Sequence, residues 1–163
     1  MSTAVTAHAI VDASVARSAS DPARVPVTMA CLALARVLES RTCATGAIMT
    51  PALQAEWRAH ASRLMTAWLV SMEQRGRVRR EKDRRVGDLR AAVNGVVDSG
   101  VRAALVKDLH LTEAAILHGV PVLSLDDKHR RFLRDLRARY TTACWTSWGN
   151  LFVVAPAGSA TRL

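Results

Sequence analysis

The chain has 163 residues and a mass of 17.7 kDa, the size of one globular domain that builds a core without disulfides or a structural metal. Half of the residues are hydrophobic and 23% are charged, which excludes an intrinsically disordered chain. The 23 Lys and Arg outnumber the 14 Asp and Glu, and the formal charge of +9 favours polyanionic partners, above all nucleic acid. A solvated basic surface gives the same composition, so charge alone does not separate the two interpretations.

The cysteines and the N-terminus indicate the compartment. Cys31, Cys43 and Cys144 are odd in number and form no C-x-x-C pair, which argues against a disulfide framework and a zinc site. The N-terminal segment lacks a cationic region followed by a long apolar stretch, so we expect no signal peptide. No run of eighteen apolar residues occurs, so we expect a cytoplasmic protein with no membrane partner.

Hydrophobic patterning predicts alternating strands and helices. Short apolar runs bounded by turn residues predict four strands, over residues 7–12, 47–49, 121–125 and 151–154. Apolar residues at helical spacing predict helices over residues 28–41, 51–74, 83–97 and 101–117 and one that follows residues 126–127. The pattern predicts a three-layer α/β sandwich with a mostly parallel central sheet flanked by helices, as a single domain over residues 1–163.

The most basic part of the chain covers residues 75–90, with eight Lys or Arg against three acids. It is too charged for a core and is predicted to be an exposed loop that leads into a helix. Residues 75–85 are the candidate for contacting a nucleic-acid backbone, with Arg77, Arg79 and Arg80 as the chosen contacts. A solvated charged loop remains the alternative.

Four acids stand at positions where a ligand site is expected. Asp12 and Asp126 end two predicted strands, and ligands of open parallel sheets bind outside the C-terminal ends of the strands. Glu56 and Asp108 lie on predicted helices in mostly apolar surroundings. Each acid alone is explained as a helix cap or a surface charge. Gathered together, they would repel and be costly to desolvate, which indicates a divalent metal, Mg²⁺ or Mn²⁺ for oxygen ligands.

Four segments resemble the PIN-domain ribonucleases, a family that includes the VapC-type toxins of bacterial toxin–antitoxin pairs. They are residues 10–15 (IVDASV), 53–57 (LQAEW), 106–115 (VKDLHLTEAA) and 122–126 (VLSLD). The order of the segments and the 18 residues between Asp108 and Asp126 also match the layout of that family. The resemblance implies a PIN-like fold and Mg²⁺- or Mn²⁺-dependent hydrolysis of RNA phosphodiester bonds. It further implies a homodimer and, for a toxin, a cognate antitoxin protein.

The resemblance also implies the site residues. Asp12, Glu56, Asp108 and Asp126 would form the catalytic metal site. Asp127 would be a further metal ligand, and Ser14 and Ser124 would assist in binding the substrate. The fourth segment ends in two adjacent aspartates where many members carry a single one after Arg or Lys, so the choice between Asp126 and Asp127 stays open.

Other interpretations compete with this one. An acid followed about twenty residues later by an acid-x-Lys outlines a restriction-endonuclease-like nuclease using Asp108, Asp126 and Lys128, but leaves Asp12 and Glu56 unexplained. A non-catalytic basic module that binds RNA or a protein, with the acids as helix caps, is the second alternative. The remaining polar and aromatic candidates have simpler explanations: His110, His118 and His129 are assigned to the surface or to hydrogen bonds, and Cys31, Trp57 and Trp68 to the core. For Trp145 and Trp148, stacking on bases and packing in the core both stay open.

Overall fold

A computed structural model describes residues 4–20, 25–139 and 152–153 of the chain. Five parallel strands form its sheet: β1 (Ala7–Val11), β2 (Thr45–Met49), β3 (Val78–Arg80), β4 (Val122–Leu123) and β5 (Phe152–Val153). Their order across the sheet is β3-β2-β1-β4-β5. The chain therefore adds strands first on one side of β1 and then on the other, and the strand order reverses between β1 and β4.

Eight helices lie between the strands within the described residues. They are α1 (Ala13–Ser18), α2 (Pro26–Glu39), α3 (Pro51–His60), α4 (Arg63–Gln74), α5 (Gly87–Asn94), α6 (Ser99–Lys107), α7 (Leu109–His118) and α8 (Asp127–Arg139). The right-handed crossover rule places α1–α4 on one face of the sheet and α5–α8 on the other, because the connections reverse direction after β3. Contacts within each of these two groups agree with this arrangement, and α3 also contacts α7; the predicted α/β three-layer sandwich is confirmed. None of the described helices is long and apolar enough to span a bilayer.

Two predicted helices are each divided in the structure. The helix predicted over residues 51–74 ends at His60, and a second one begins after Ser62, whose hydroxyl accepts the Met65 amide N–H at 3.2 Å as a new N-cap. The helix predicted over residues 101–117 breaks at Asp108, which ends α6 and precedes α7. Apolar periodicity continued across both breaks, so it did not reveal them.

The basic segment contains a strand that the prediction missed. Residues 78–80 pair with β2 as the edge strand β3, so the segment is not an exposed loop throughout. Gly46 permits the approach of the two strands, because a Cβ there would lie 2.6 Å from the Arg77 carbonyl oxygen. One valine followed by two arginines at a sheet edge is too short and too weakly apolar a pattern to identify a strand.

Two buried tryptophans fix the helices on one face of the sheet. Trp57 Nε1 donates to the Val11 carbonyl at 2.9 Å, and Trp68 Nε1 donates to the Ala35 carbonyl at 2.9 Å. Their ring centroids lie 6.0 Å apart, within the range of favourable aromatic pairs. Trp57, Trp68 and Cys31 are buried, which confirms their predicted core positions. Trp145 and Trp148 lie outside the described residues.

Candidate active site

Asp12 lies where β1 ends, and two serine hydroxyls hold its carboxylate. Asp12 Oδ2 accepts the Ser14 hydroxyl at 2.5 Å and the Ser124 hydroxyl at 2.6 Å. Ser124 is nearby because β4 pairs with β1, with Val11 opposite Leu123. Asp12 occupies the N-cap position of α1, yet its side chain makes no capping hydrogen bond. Its carboxylate is thus fixed towards the end of the sheet rather than onto the helix.

A pocket of about 360 Å³ opens beside Asp12, at the point where the strand order reverses. The four predicted acids Asp12, Glu56, Asp108 and Asp126 all line it. We call it the carboxylate pocket. Its remaining lining includes one hydroxyl and three basic side chains, Ser14, Arg17, His60 and Lys107. Residues separated by more than a hundred positions in the chain therefore converge at the C-terminal edge of the sheet, where the topology predicts a ligand site.

Glu56 reaches the carboxylate pocket through the anchoring of α3. Thr50 caps this helix by accepting the Leu53 amide N–H at 3.4 Å, and Pro51 occupies its first turn. Trp57, the next residue after Glu56, is bonded to the last residue of β1. This contact places the Glu56 side of α3 next to Asp12.

Asp108 reaches the pocket because the helix breaks there. It is the last residue associated with α6 and precedes the first residue of α7, with φ −107° and ψ 19°. Its side chain is 14% exposed. The predicted uninterrupted helix would have kept Asp108 on a helical stripe; the break instead directs α7 away from α6 and leaves Asp108 at the junction.

The electrostatics of the pocket disfavour its ionised acids. Burial raises the pKa of Glu56, and the Asp108 and Asp12 carboxylates raise it further, against the opposing effect of His110. Burial likewise raises the pKa of Asp108, with Asp12 and Asp126 adding to the increase and His129 and Lys107 reducing it. Like charges held together in a partly dry pocket are the environment that a bound cation would relieve.

Two histidines stand behind two of the acids. His110 Nε2 is 3.6 Å from Glu56 Oε2 and is buried without a hydrogen-bond partner among the described residues. His129 Nδ1 is 4.0 Å from Asp108 Oδ2, and its Nε2 is 3.3 Å from the Thr112 hydroxyl. Burial lowers the pKa of His129, although the neighbouring Asp108 carboxylate opposes this. The sequence analysis assigned these histidines no part in the site.

The two adjacent aspartates have different surroundings. Asp126 lines the carboxylate pocket, donates its amide N–H to the Ser124 hydroxyl at 3.0 Å, and caps α8 by accepting the His129 amide at 2.8 Å. Asp127 is half exposed, lies outside the pocket lining, and pairs with Arg130 at 2.6 Å. The geometry favours Asp126 as the site residue.

The arginines chosen from the sequence do not reach the pocket. Arg77 is 4% exposed and donates to the Ser40, Cys43 and Thr45 carbonyls, so its prediction as a substrate contact is wrong. Ser40 and Cys43 precede β2 and Thr45 is its first residue, so the three carbonyls lie at the opposite edge of the sheet from the acids. Arg79 pairs with Glu81 at 2.5 Å, and Arg80 pairs with Glu73.

The cations that line the pocket are not the ones that the sequence analysis chose. The cations that line the carboxylate pocket are Arg17 and Lys107, neither of which has an ion-pair partner among the described residues. Lys107 could have been found because it adjoins Asp108 in the sequence. Arg17 follows Ser14 by one turn of α1, a helix that the sequence analysis did not predict. Lys128, required by the restriction-endonuclease-like interpretation, lies over the Phe132 ring on α8 and is not part of the pocket lining.

The donor set fits a hard divalent cation. Carboxylate and hydroxyl oxygens are the ligands that Mg²⁺ and Mn²⁺ prefer, and Mg²⁺ is usually held by one or two carboxylates together with water. Within residues 4–20, 25–139 and 152–153, no three acidic, histidine or cysteine side chains are already arranged as a complete ligand group. The fit therefore rests on the chemistry of the four carboxylates and on their unrelieved repulsion.

Comparison with known proteins adds no family assignment. No protein-family model matches the chain, and no curated protein matches it either.

Proposed function

We propose that the protein is a Mg²⁺- or Mn²⁺-dependent ribonuclease of the PIN-like type that hydrolyses RNA phosphodiester bonds. The observation that carries the proposal is the convergence of Asp12, Glu56, Asp108 and Asp126 on one pocket at the C-terminal edge of a parallel sheet. A basic protein with a buried acidic site is suited to a polyanionic substrate that is cut with the help of a cation.

Asp12, Glu56, Asp108 and Asp126 are the residues that would hold the metal, as stated for the sequence resemblance. A bound Mg²⁺ or Mn²⁺ would supply an activated hydroxide and stabilise charge on the scissile phosphate. Ser14 and Ser124 keep Asp12 Oδ2 in a fixed orientation through their hydroxyl hydrogen bonds, which makes them positioning residues.

Arg17 and Lys107 give the pocket a cationic rim. Their side chains line the same pocket as the four acids, so they are placed to attract and orient a phosphate that would otherwise be repelled by the carboxylates. His110 Nε2 lies 3.6 Å from Glu56 and His129 Nδ1 lies 4.0 Å from Asp108. Both separations exceed hydrogen-bond length, so these histidines act on the two acids electrostatically, lowering their pKa values against the effect of burial.

The toxin role is a further part of the proposal. It rests on the sequence resemblance, together with the cognate antitoxin protein and the homodimer that the resemblance implies. A short open reading frame directly upstream is the expected position of the antitoxin. Sedimentation of the purified protein at micromolar concentration tests the dimer, and a monomer alone would contradict it.

A non-catalytic RNA-binding module is the second candidate. Asp126 does cap α8, as that interpretation requires. Asp12, however, makes no capping bond and instead accepts hydrogen bonds from the hydroxyls of Ser14 on α1 and Ser124, which follows β4. The cap explanation therefore accounts for one of the four acids and not for the group.

The test is cleavage of labelled single-stranded RNA with Mg²⁺, with Mn²⁺ and with EDTA. We expect cleavage that EDTA abolishes and that falls at least about 100-fold in Asp12→Asn and Asp108→Asn, because each removes a ligand charge. Asp135→Asn, on the exposed face of α8, is the matched control. Cleavage that persists in EDTA would contradict the proposal, and RNA binding without cleavage in either metal would favour the binding module.

A further inference from the structure

A second pocket, of about 280 Å³, opens at the same edge of the sheet. It lies between the start of α3, the loop after β3 and the first half of α7, and its polar lining is Thr50, Asp83, Arg84, Arg85, Arg90, His110 and Glu113. We call it the arginine pocket. The loop after β3 is at this edge because Glu81 donates its amide N–H to the Met49 carbonyl at the end of β2.

Both acids of the arginine pocket are already compensated. Glu113 is held by Arg90 through two bonds, of 2.6 and 2.7 Å, and accepts the Val86 amide N–H at 2.8 Å. Asp83 Oδ2 accepts the Ala52 amide N–H at 3.0 Å, at the positive end of the α3 dipole. Neither carboxylate is therefore directed at the two remaining guanidinium groups.

Arg84 and Arg85 are the uncompensated cations of this pocket. Among the described residues neither has an ion-pair or hydrogen-bond partner, and both are exposed. This distinguishes them from Arg77, Arg79 and Arg80 of the same basic segment, which are buried or paired. Two adjacent guanidinium groups with free donors in a concave site fit a phosphate group.

The arginine pocket and the carboxylate pocket share a wall. Glu56 lines the carboxylate pocket and His110 lines the arginine pocket, and Glu56 Oε2 is 3.6 Å from His110 Nε2. A strand that has one phosphate among the four acids therefore has a second anion site immediately beyond this pair. An RNA strand that occupied both pockets would therefore run across the sheet edge from the end of β1 towards the end of β3.

We propose that the arginine pocket binds a backbone phosphate of the same RNA strand whose scissile phosphate enters the carboxylate pocket, with Arg84 and Arg85 as the donors. The proposal rests on the ribonuclease function proposed above and gives the strand a direction across the sheet edge. Because backbone phosphates carry no sequence information, the contact positions the RNA without selecting its sequence.

The test compares Arg84→Ala/Arg85→Ala with a charge-matched control, Arg36→Ala/Arg134→Ala. The control residues lie on α2 and α8, outside both pockets. Affinity for labelled single-stranded RNA is measured by fluorescence anisotropy in an Asp12→Asn background, in which cleavage is expected to be suppressed. We expect Kd to rise roughly tenfold to a hundredfold for the pocket variant, because bonds to charged groups are lost. The slope of log K against log salt is expected to become less steep by about 0.7, the value for one phosphate contact on a single strand.

The cleavage kinetics provide a second measurement. With Asp12 intact, the pocket variant is expected to raise KM while kcat changes less than threefold, because Arg84 and Arg85 do not line the carboxylate pocket. An equal loss of affinity in both double variants, or none in either, would overturn the arginine-pocket proposal and leave the nuclease proposal intact. A selective loss of RNA affinity in a protein that cleaves no RNA would support the phosphate contact and overturn the nuclease. A parent protein that binds no RNA would overturn both.

Discussion

Two regions of the molecule bury acidic side chains in opposite ways. Glu113 is 2% exposed and is surrounded by donors, with Arg90 bonded to both of its oxygens and the Val86 amide to one of them. In the carboxylate pocket, Glu56 and Asp108 face other acids, and their nearest cation candidates are histidine nitrogens at 3.6 and 4.0 Å. The fold compensates the charge of Glu113, whereas the carboxylates of the second region keep their mutual repulsion.

The contrast separates an acid that the fold compensates from acids that it does not. A buried charge is tolerated when hydrogen-bonded counter-charges replace its water, and Glu113 meets that condition. Glu56 and Asp108 do not, as the raised pKa of each shows. Uncompensated carboxylates that line one pocket are a reasoned indication of a site, because the fold gains nothing from them.

The largest loss in the free energy of unfolding is expected from removing one partner of the Arg90–Glu113 pair. Arg90→Met leaves the Glu113 carboxylate buried without its cation and is expected to lower the free energy of unfolding by about 3–5 kcal/mol. Glu113→Gln is expected to cost about 2 kcal/mol, since Arg90 is 38% exposed and stays hydrated. Urea unfolding measures both, together with the double variant. Additive losses in the double variant would contradict a direct pair.

The next largest effect on the free energy of unfolding is expected at Arg77, a buried guanidinium held by backbone carbonyls and by no acid among the described residues. Arg77→Met removes donors from the Ser40, Cys43 and Thr45 carbonyls, and we expect a loss of about 3 kcal/mol in the free energy of unfolding. RNA affinity of the folded variant is expected to match that of the parent, because Arg77 is buried at the edge opposite the acids. Weaker RNA binding at a temperature where the variant is fully folded would contradict this placement.

Mn²⁺ is expected to stabilise the protein by reducing the repulsion in the carboxylate pocket, by an amount that depends on pH. At about 100 times its Kd, Mn²⁺ adds about 2.7 kcal/mol to the free energy of unfolding. Since the pKa values of Glu56 and Asp108 are raised, protons compete with the metal at a higher pH than for ordinary carboxyls. The Tm increase caused by Mn²⁺ is therefore expected to be largest above the raised pKa values and to shrink as the pH falls through them.

The matching control omits the metal. A raised pKa in the folded state means that the two carboxyls stabilise the fold most at and below their ordinary pKa and lose that contribution as the pH rises through the raised values. His129, with its lowered pKa, acts in the opposite direction, and its contribution is lost on acidification. Subtracting the metal-free scan isolates the Mn²⁺ term. A Tm shift that is independent of pH would contradict metal binding by these acids.

The smallest effect is expected from Asp108→Asn in metal-free protein at pH 7.5. Removing the charge removes first its desolvation cost and then its repulsion from Asp12 and Asp126, against the lost attraction of His129 and Lys107, so the free energy of unfolding is expected to rise by up to about 1 kcal/mol. Asp98→Ala is the matched comparison, because Asp98 caps α6 through Val101 at 2.9 Å, and its loss is expected to cost about 1 kcal/mol. Calorimetry compares the two, and a destabilised Asp108→Asn would show that Asp108 is a structural acid.

Much of the fold could be predicted from the sequence, because most strands and helices produce patterns over a few neighbouring residues. Buried strands β1, β2 and β4 show as short apolar runs, and the Thr50-Pro51 start of α3 is a local signal. The edge strand β3 has no such run, and the break at Asp108 interrupts a continuous apolar stripe. Both depend on contacts with distant parts of the chain.

The candidate site was predictable in its acids and not in its cations. Acids at strand ends can be read from position, which located Asp12 and Asp126. Which arginines are free depends on which have partners, and those partners are carbonyls or carboxylates elsewhere in the fold. The burial of Arg77 and the exposure of Arg84 therefore have no counterpart in the composition of the basic segment.

The pairing of β1 with β4 is short and lies next to the carboxylate pocket. β4 has two residues, and the Asp12 amide donates to the Leu123 carbonyl at 3.0 Å just below the two serine bonds. Exchange of that single amide proton with deuterium reports whether the two halves of the sheet are joined. A ligand that separated β1 from β4 would move Asp12 away from Ser124 and Asp126, and would thereby abolish the proposed activity without contacting any of the acids.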